Sequence, residues 1–156
     1  GMMSYMLYDC KEDLVPLHKE LDYIQNFIAL YQLKEEEPLN IKTDFDDVQP
    51  DLLIPPMLFI PFIENSFKHS TNNEKEDVFV EISIKQKKDT LHFKISNTNA
   101  QEDKTVAKEY SGVGLENVKN SLALVYPNAH TFTVHETEAI FTVDLTLMNL
   151  DTLHLI

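Results

Sequence analysis

Cations are scarce in this chain. Lys and Arg total 13 against 26 Asp and Glu, a formal charge of −13 over 156 residues. An acidic surface argues against a nucleic-acid partner, because binding a phosphate backbone takes a surplus of cations. A small phosphate ligand stays open, since backbone N–H groups and one or two lysines hold one locally. Cysteine is almost absent. Cys10 is the only one, so no internal disulfide forms and a reducing compartment is expected. No apolar run approaches the roughly 20 residues of a membrane span, and nothing at the start reads as a signal peptide. Gly1-Met2 reads as the scar of a removed tag, so we expect a piece of a longer protein, with any membrane part outside it. Glycine is rare too. Two of the three glycines fall in one short motif, taken up below.

What is present is patterned. The length suits one domain with a sizeable core. Leu14, Leu17, Leu21, Ile24, Ile28 and Tyr31 recur at spacings of 3 and 4, a heptad seam. The pattern predicts a helix over residues 15–34, with Pro16 in its first turn. Phe27, Leu30 and Leu33 widen the apolar face, so the helix is expected to pack on a domain as well as on a partner helix. Residues 39–45 alternate weakly, as a strand does. An acidic, proline-containing connection over 46–55 follows, and Pro56 is expected to open a second helix. Clearer alternation marks four strands around Val80, Phe93, Val134 and Val143. Polar turns at 87–89 and 135–139 join them in pairs. A polar stretch, 98–111, separates the pairs, and a helix over 115–125 ends at Pro127. This order predicts an α+β fold, a sandwich of helices on one face of an antiparallel or mixed sheet.

The second helix carries "PFIENSFKHS", residues 61–70. Glu64 lies over Lys68 and Asn65 over His69, so four polar groups leave one side of a helix whose other positions are apolar. Burying such groups singly is costly, so they point to a polar cleft. An Asn carbonyl suits a hard cation such as Mg²⁺ whose other ligands are water and phosphate. Lys68 can contact phosphate oxygens, and Glu64 can act as a base or orient a nucleophile. His69 could donate to a phosphate or cap the helix end. The alternative is a solvated stripe with one Glu–Lys pair, contributing about 0.2–0.5 kcal/mol. A second motif, "SGVGLENV", sets Gly112 and Gly114 directly before a helix. Such glycines let a backbone reach positive φ and approach a ligand, and the helix start offers N–H groups and a positive dipole end to an anion.

Together these stretches resemble a known family. "IPPMLFIPFIENSFKHS" resembles the N box of LytS-type sensor histidine kinases, and "SGVGLENVKNSLALVYP" resembles their G2 box. "LVPLHKELDYIQNFIALYQLK" is similar to the helix that precedes their ATP-binding domain. The resemblance implies the GHKL (Bergerat) two-layer sandwich, with ATP and Mg²⁺ bound. It implies Asn65 as the metal ligand, Glu64 as the acid beside it, and Lys68 and His69 near the phosphates. Gly112, Val113, Gly114 and Leu115 are implied as the hinge of the ATP lid, with Glu116 and Asn117 opening the helix beneath the phosphates. The implied organisation is a tail over 1–13, a connecting helix over 14–37, the ATP-binding domain over 38–148 and a tail over 149–156. The implied setting is the cytoplasmic side of a membrane-anchored bacterial protein, homodimeric, with a response regulator of the LytTR type as partner.

Two departures stand out. The family's G1 box carries Asp-x-Gly-x-Gly, whose Asp bonds the adenine amino group. Here the strand ends "KISNTNA", so Asn97 takes the Asp position and both glycines are missing. Asn offers the same acceptor, and adds an NH₂ that could face the ring N1. The family's acceptor segment, close to "NPHFLFN", does not occur in the chain. Two other readings remain: a degenerate module that dimerises or signals without ATP, and a GHKL ATPase outside two-component signalling. We expect the isolated chain not to accumulate acid-labile phosphate from labelled ATP. Stable labelling mapped to any of its six histidines would overturn that expectation.

Overall fold

The computed structural model describes residues 14–35, 40–71, 78–98 and 113–150, and for 69–71 and 113–115 the backbone alone. The first helix, α1, spans Leu17–Leu33. It starts two residues later than the periodicity predicts. Val15–Pro16 form a short strand, β1, pairing antiparallel with Leu53–Ile54, β3. Pro16 is extended, with φ −62 and ψ 141, and so stands before the helix. The first N–H groups of α1 find carbonyls outside it: Leu17 donates to Leu52 at 2.7 Å and His18 to Pro50 at 3.0 Å. Helix starts need such partners because their first four donors have none within the helix.

The second helix, α2, spans Ile60–Thr71. It does not open at Pro56. The intervening turn carries Met57 at φ 59, a left-handed conformation that a bulky residue adopts only when its surroundings impose it. The Glu20 carboxylate, fully buried, supplies that constraint from α1. It accepts from Met57 N–H at 3.1 Å and Phe59 N–H at 2.8 Å. The Phe59 carbonyl then accepts from Phe62 and Ile63, starting the helix. Pro61 in the first turn gives up a donor that would have had no partner.

The main sheet has five strands in the order β2-β4-β5-β7-β6. They are β2 Asn40–Asp44, β4 Phe79–Lys87, β5 Thr90–Thr98, β6 His130–Glu136 and β7 Ile140–Leu147. β2 runs parallel to β4; the other pairs are antiparallel. A βαβ crossover through α2 therefore joins β2 to β4. The third helix, α3, spans Val113–Val125, two residues longer than the predicted helix at its start. It ends just before Pro127, and the Tyr126 carbonyl accepts from Ala129 N–H at 3.0 Å and from His130 Nδ1–H at 2.8 Å.

Alternation sets the two sheet faces apart. Ile82 and Ile84, Phe93 and Ile95, and Val143 and Leu145 are buried under the helices. α2 lies on β4 and β5, and α1 lies on α2. Phe59 stacks on Phe93 with centroids 4.7 Å apart, and Phe62 reaches Phe132 at 5.6 Å. Phe27 meets Phe67 edge-on at 5.5 Å, so of the widened face of α1 this residue packs against α2. Leu30 and Leu33 on α1 stay exposed. The opposite sheet face is polar, with Ser96 and Thr142 hydroxyls 3.0 Å apart and His92 Nε2 2.9 Å from Asp144 Oδ1. An open depression on that face is lined by Lys42, Asp44, Glu81, Ser83, Lys94 and Ser96.

Removing the Glu20 carboxylate leaves two backbone donors without their acceptor. Glu20→Ala is expected to cost about 2–4 kcal/mol of stability, and Glu20→Gln, which keeps one acceptor, roughly half of that. Urea unfolding reads this as a lower midpoint at unchanged slope.

Candidate functional site

α2 sorts its residues by face. Phe62, Ile63, Ser66 and Phe67 are buried, while Glu64 and Lys68 are exposed and Asn65 is half-buried. The three described polar groups of the predicted set thus share the open side of one helix. The His69 side chain lies outside the described residues. Glu64 does not bond to Lys68. Its Oε1 instead accepts from the Tyr23 hydroxyl of α1 at 3.2 Å.

Asn97 is the residue that the family resemblance implies as the adenine contact, and its surroundings are unusual. It is the second-last residue of β5 and 2% exposed on the helix-covered face. Val80 and Phe141 flank it on the neighbouring strands. Its Nδ2–H donates to the Thr98 carbonyl at 2.9 Å. That carbonyl can only accept, so the amide nitrogen faces it. The Thr98 hydroxyl in turn accepts from Phe79 N–H at 2.8 Å, anchoring the strand end. Among the described residues Asn97 Oδ1 has no hydrogen-bond partner. A buried acceptor without a donor costs about 1–3 kcal/mol. The NH₂ turns toward Thr98, and among the described residues the carbonyl oxygen is the atom left unpaired.

The glycine motif differs from expectation. Gly112 lies outside the described residues. Gly114 lies within the first turn of α3, not in a turn ahead of it, and no described glycine has positive φ. The predicted left-handed turn is therefore corrected at Gly114 to helix, with Val113 and Leu115 in the same turn. Glu116 and Asn117 are exposed on the next turn. Ser66 Oγ and Tyr126 Oη are also buried without partners. Burial pushes the Tyr126 phenol well above its usual range, so it stays neutral.

Sequence reasoning missed Glu20 and Tyr23, which support α2 from α1. A signal for Glu20 was available: an acid three residues after Leu17 and four before Ile24 sits beside the apolar seam, where an ordinary surface acid does not. Nothing in the spacing marked Tyr23. Among the described residues no group of three or more His, Cys, Asp or Glu could hold a metal by itself.

The fold is that of histidine kinase catalytic domains. The histidine kinase domain of the blue-light-activated kinase EL346 from Erythrobacter litoralis superposes with a TM-score of 0.63 at 11% identity, covering 90% of this chain and 64% of that one. In sequence the chain is similar to LytS-type sensor proteins. The sensor protein LytS of Staphylococcus epidermidis is 29% identical over 91 residues, 58% of this chain and 15% of the relative. The sensor histidine kinase/phosphatase LytS of Staphylococcus aureus strain Mu50 is 30% identical over 78 residues, 50% of this chain and 13% of the relative. The match thus spans about a seventh of these relatives' length. No protein-family model matches the chain. In sequence the chain thus resembles LytS-type sensor kinases, and in fold histidine kinase catalytic domains.

The unpartnered acceptor has a stability consequence. Asn97→Leu removes one orphan and frees the Thr98 carbonyl, so it is expected to stay within about 1 kcal/mol of wild type. Asn97→Asp sets a buried carboxylate against that carbonyl and is expected to cost about 2–4 kcal/mol. Urea titrations of the three proteins without ligand check the order.

Proposed function

We propose that this chain is the ATP-binding catalytic domain of a two-component sensor histidine kinase, serving phosphoryl transfer to a histidine. The observation that carries the reading is Asn97 Oδ1, a buried acceptor without a donor among the described residues, at the position where the resemblance puts the family's adenine contact. A fold that keeps such a group unpaired gains from a ligand that pairs it. The adenine amino group is a donor of that kind.

The remaining roles follow from chemistry and from the resemblance. Asn65 would hold Mg²⁺ through its carbonyl oxygen, and an all-oxygen ligand completed by water and phosphate suits a site without a cluster of acids. The metal would neutralise charge on the phosphate oxygens. Lys68 adds a point charge for the same oxygens, and His69 and the first turn of α3, from Val113 through Leu115, offer further donors. Glu64 orients or deprotonates the attacking group. In phosphoryl transfer most of the rate comes from positioning and charge stabilisation, which suits side chains on one rigid helix. α1 is docked on the domain rather than hung from it, so we place the ATP-binding unit at 38–148 with α1 packed against it. A homodimeric parent and a LytTR-type response regulator are the partners of this reading.

The degenerate-module reading is kept for one reason: Asn stands where Asp is expected, and a neutral acceptor bonds more weakly than a charged one by roughly 1 kcal/mol. Calorimetric titration with a non-hydrolysable ATP analogue, with and without Mg²⁺, separates the two. Wild type is expected to bind weakly. Asn97→Leu should weaken binding about fivefold in either condition. Asn65→Ala should weaken only the Mg²⁺-dependent part, at unchanged melting temperature. Asn97→Asp is expected to tighten binding although it destabilises the empty domain. Absence of binding by wild type and Asn97→Asp at millimolar ligand hands the function to the degenerate module.

A further inference from the structure

The helix that carries the candidate site is held from α1 as well as from the sheet. Among the described residues, three side chains of α1 make hydrogen bonds to it or to the turn before it. Glu20 grips Met57 N–H and Phe59 N–H. Tyr23 donates to Glu64 Oε1 at 3.2 Å. Tyr31 donates to the Phe67 carbonyl at 3.4 Å. Glu20 and Tyr31 bind backbone, so they fix where α2 lies. Tyr23 alone of the three holds a side chain assigned a chemical role. The asymmetry of that pair is informative: Tyr23 is 4% exposed and Glu64 is exposed. A donor fixed in the core grips an acceptor that would otherwise sample several rotamers.

The geometry points to Tyr23 as a positioning residue for Glu64. Its hydroxyl selects one rotamer of the carboxylate, occupies Oε1 and leaves Oε2 for the reacting group. The inference rests on the reading of the chain as an ATP-binding kinase domain, and adds what holds the acid of that site. A displacement of α1 would then change the orientation of Glu64 while leaving the adenine contact at Asn97 untouched.

Tyr23→Phe keeps the ring and removes only the hydroxyl. The first measurement needs no nucleotide: side-chain carbon NMR of Glu64 in labelled protein. Wild type is expected to show one ordered rotamer, and Tyr23→Phe rotamer averaging at an unchanged melting temperature. The second measurement compares phosphoryl transfer from Mg-ATP to an acceptor-histidine helix supplied in trans with the dissociation constant of a non-hydrolysable analogue. Tyr23→Phe is expected to lower this transfer roughly tenfold at unchanged affinity. Added to Glu64→Gln it should cause no further loss, because both changes break one unit. Glu64 staying ordered in Tyr23→Phe, or the two losses multiplying, overturns the positioning role. Loosening of Glu64 in a protein whose wild type neither binds nor turns over nucleotide upholds the contact and removes the ATP reading.

Discussion

A single buried carboxylate organises the helical layer. Glu20 has no exposed surface, and a charge so placed is tolerated only when its oxygens are fully bonded. Here both oxygens accept from the turn that begins α2. That turn contains a left-handed Met57, which a free chain would abandon. The carboxylate holds the turn, the turn fixes where α2 starts, and the start fixes which α2 residues face the sheet. Had α2 begun at Pro56, its phase would be carried by a different first turn. The stacking of Phe59 on Phe93 and the outward aim of Glu64 and Lys68 both follow from this one anchor.

The two ends of the candidate site are treated differently by the fold. On α2 the polar groups look to solvent and cost little. On β5 the polar group is sealed in. Asn97 stands in a column otherwise made of Leu91, Phe93 and Ile95, and one of its two polar atoms is left unpaired. Stability alone would select an apolar residue there. It is a local departure from the packing rules, offset only in part by the bond from its Nδ2 to the Thr98 carbonyl.

Much of this was legible in one dimension. Period-2 alternation located β4, β5 and β7 because each buries one face, and period-3.6 spacing located α1 and α3. The polar set on α2 was legible from i,i+4 spacing alone. The parallel pairing of β2 was hidden, because an exposed edge strand such as NIKTD buries almost nothing and so leaves little pattern. Met57, Glu20 and Tyr23 were hidden for another reason. Their partners lie about 40 residues away in sequence, and no local periodicity encodes a contact of that separation.

The sequence by itself determined the two-layer architecture, the acidic surface and the candidate polar groups, since composition and periodicity act through short-range sterics and burial. It also placed Asn97 at the end of a strand. Only the tertiary structure decided that Asn97 turns its nitrogen to Thr98 and leaves its oxygen without a donor among the described residues. Only it decided that Gly114 enters a helix, and that Glu64 is gripped from α1. Each of these turns on which donor meets which acceptor across the fold, and hydrogen bonds are satisfied in space, not along the chain.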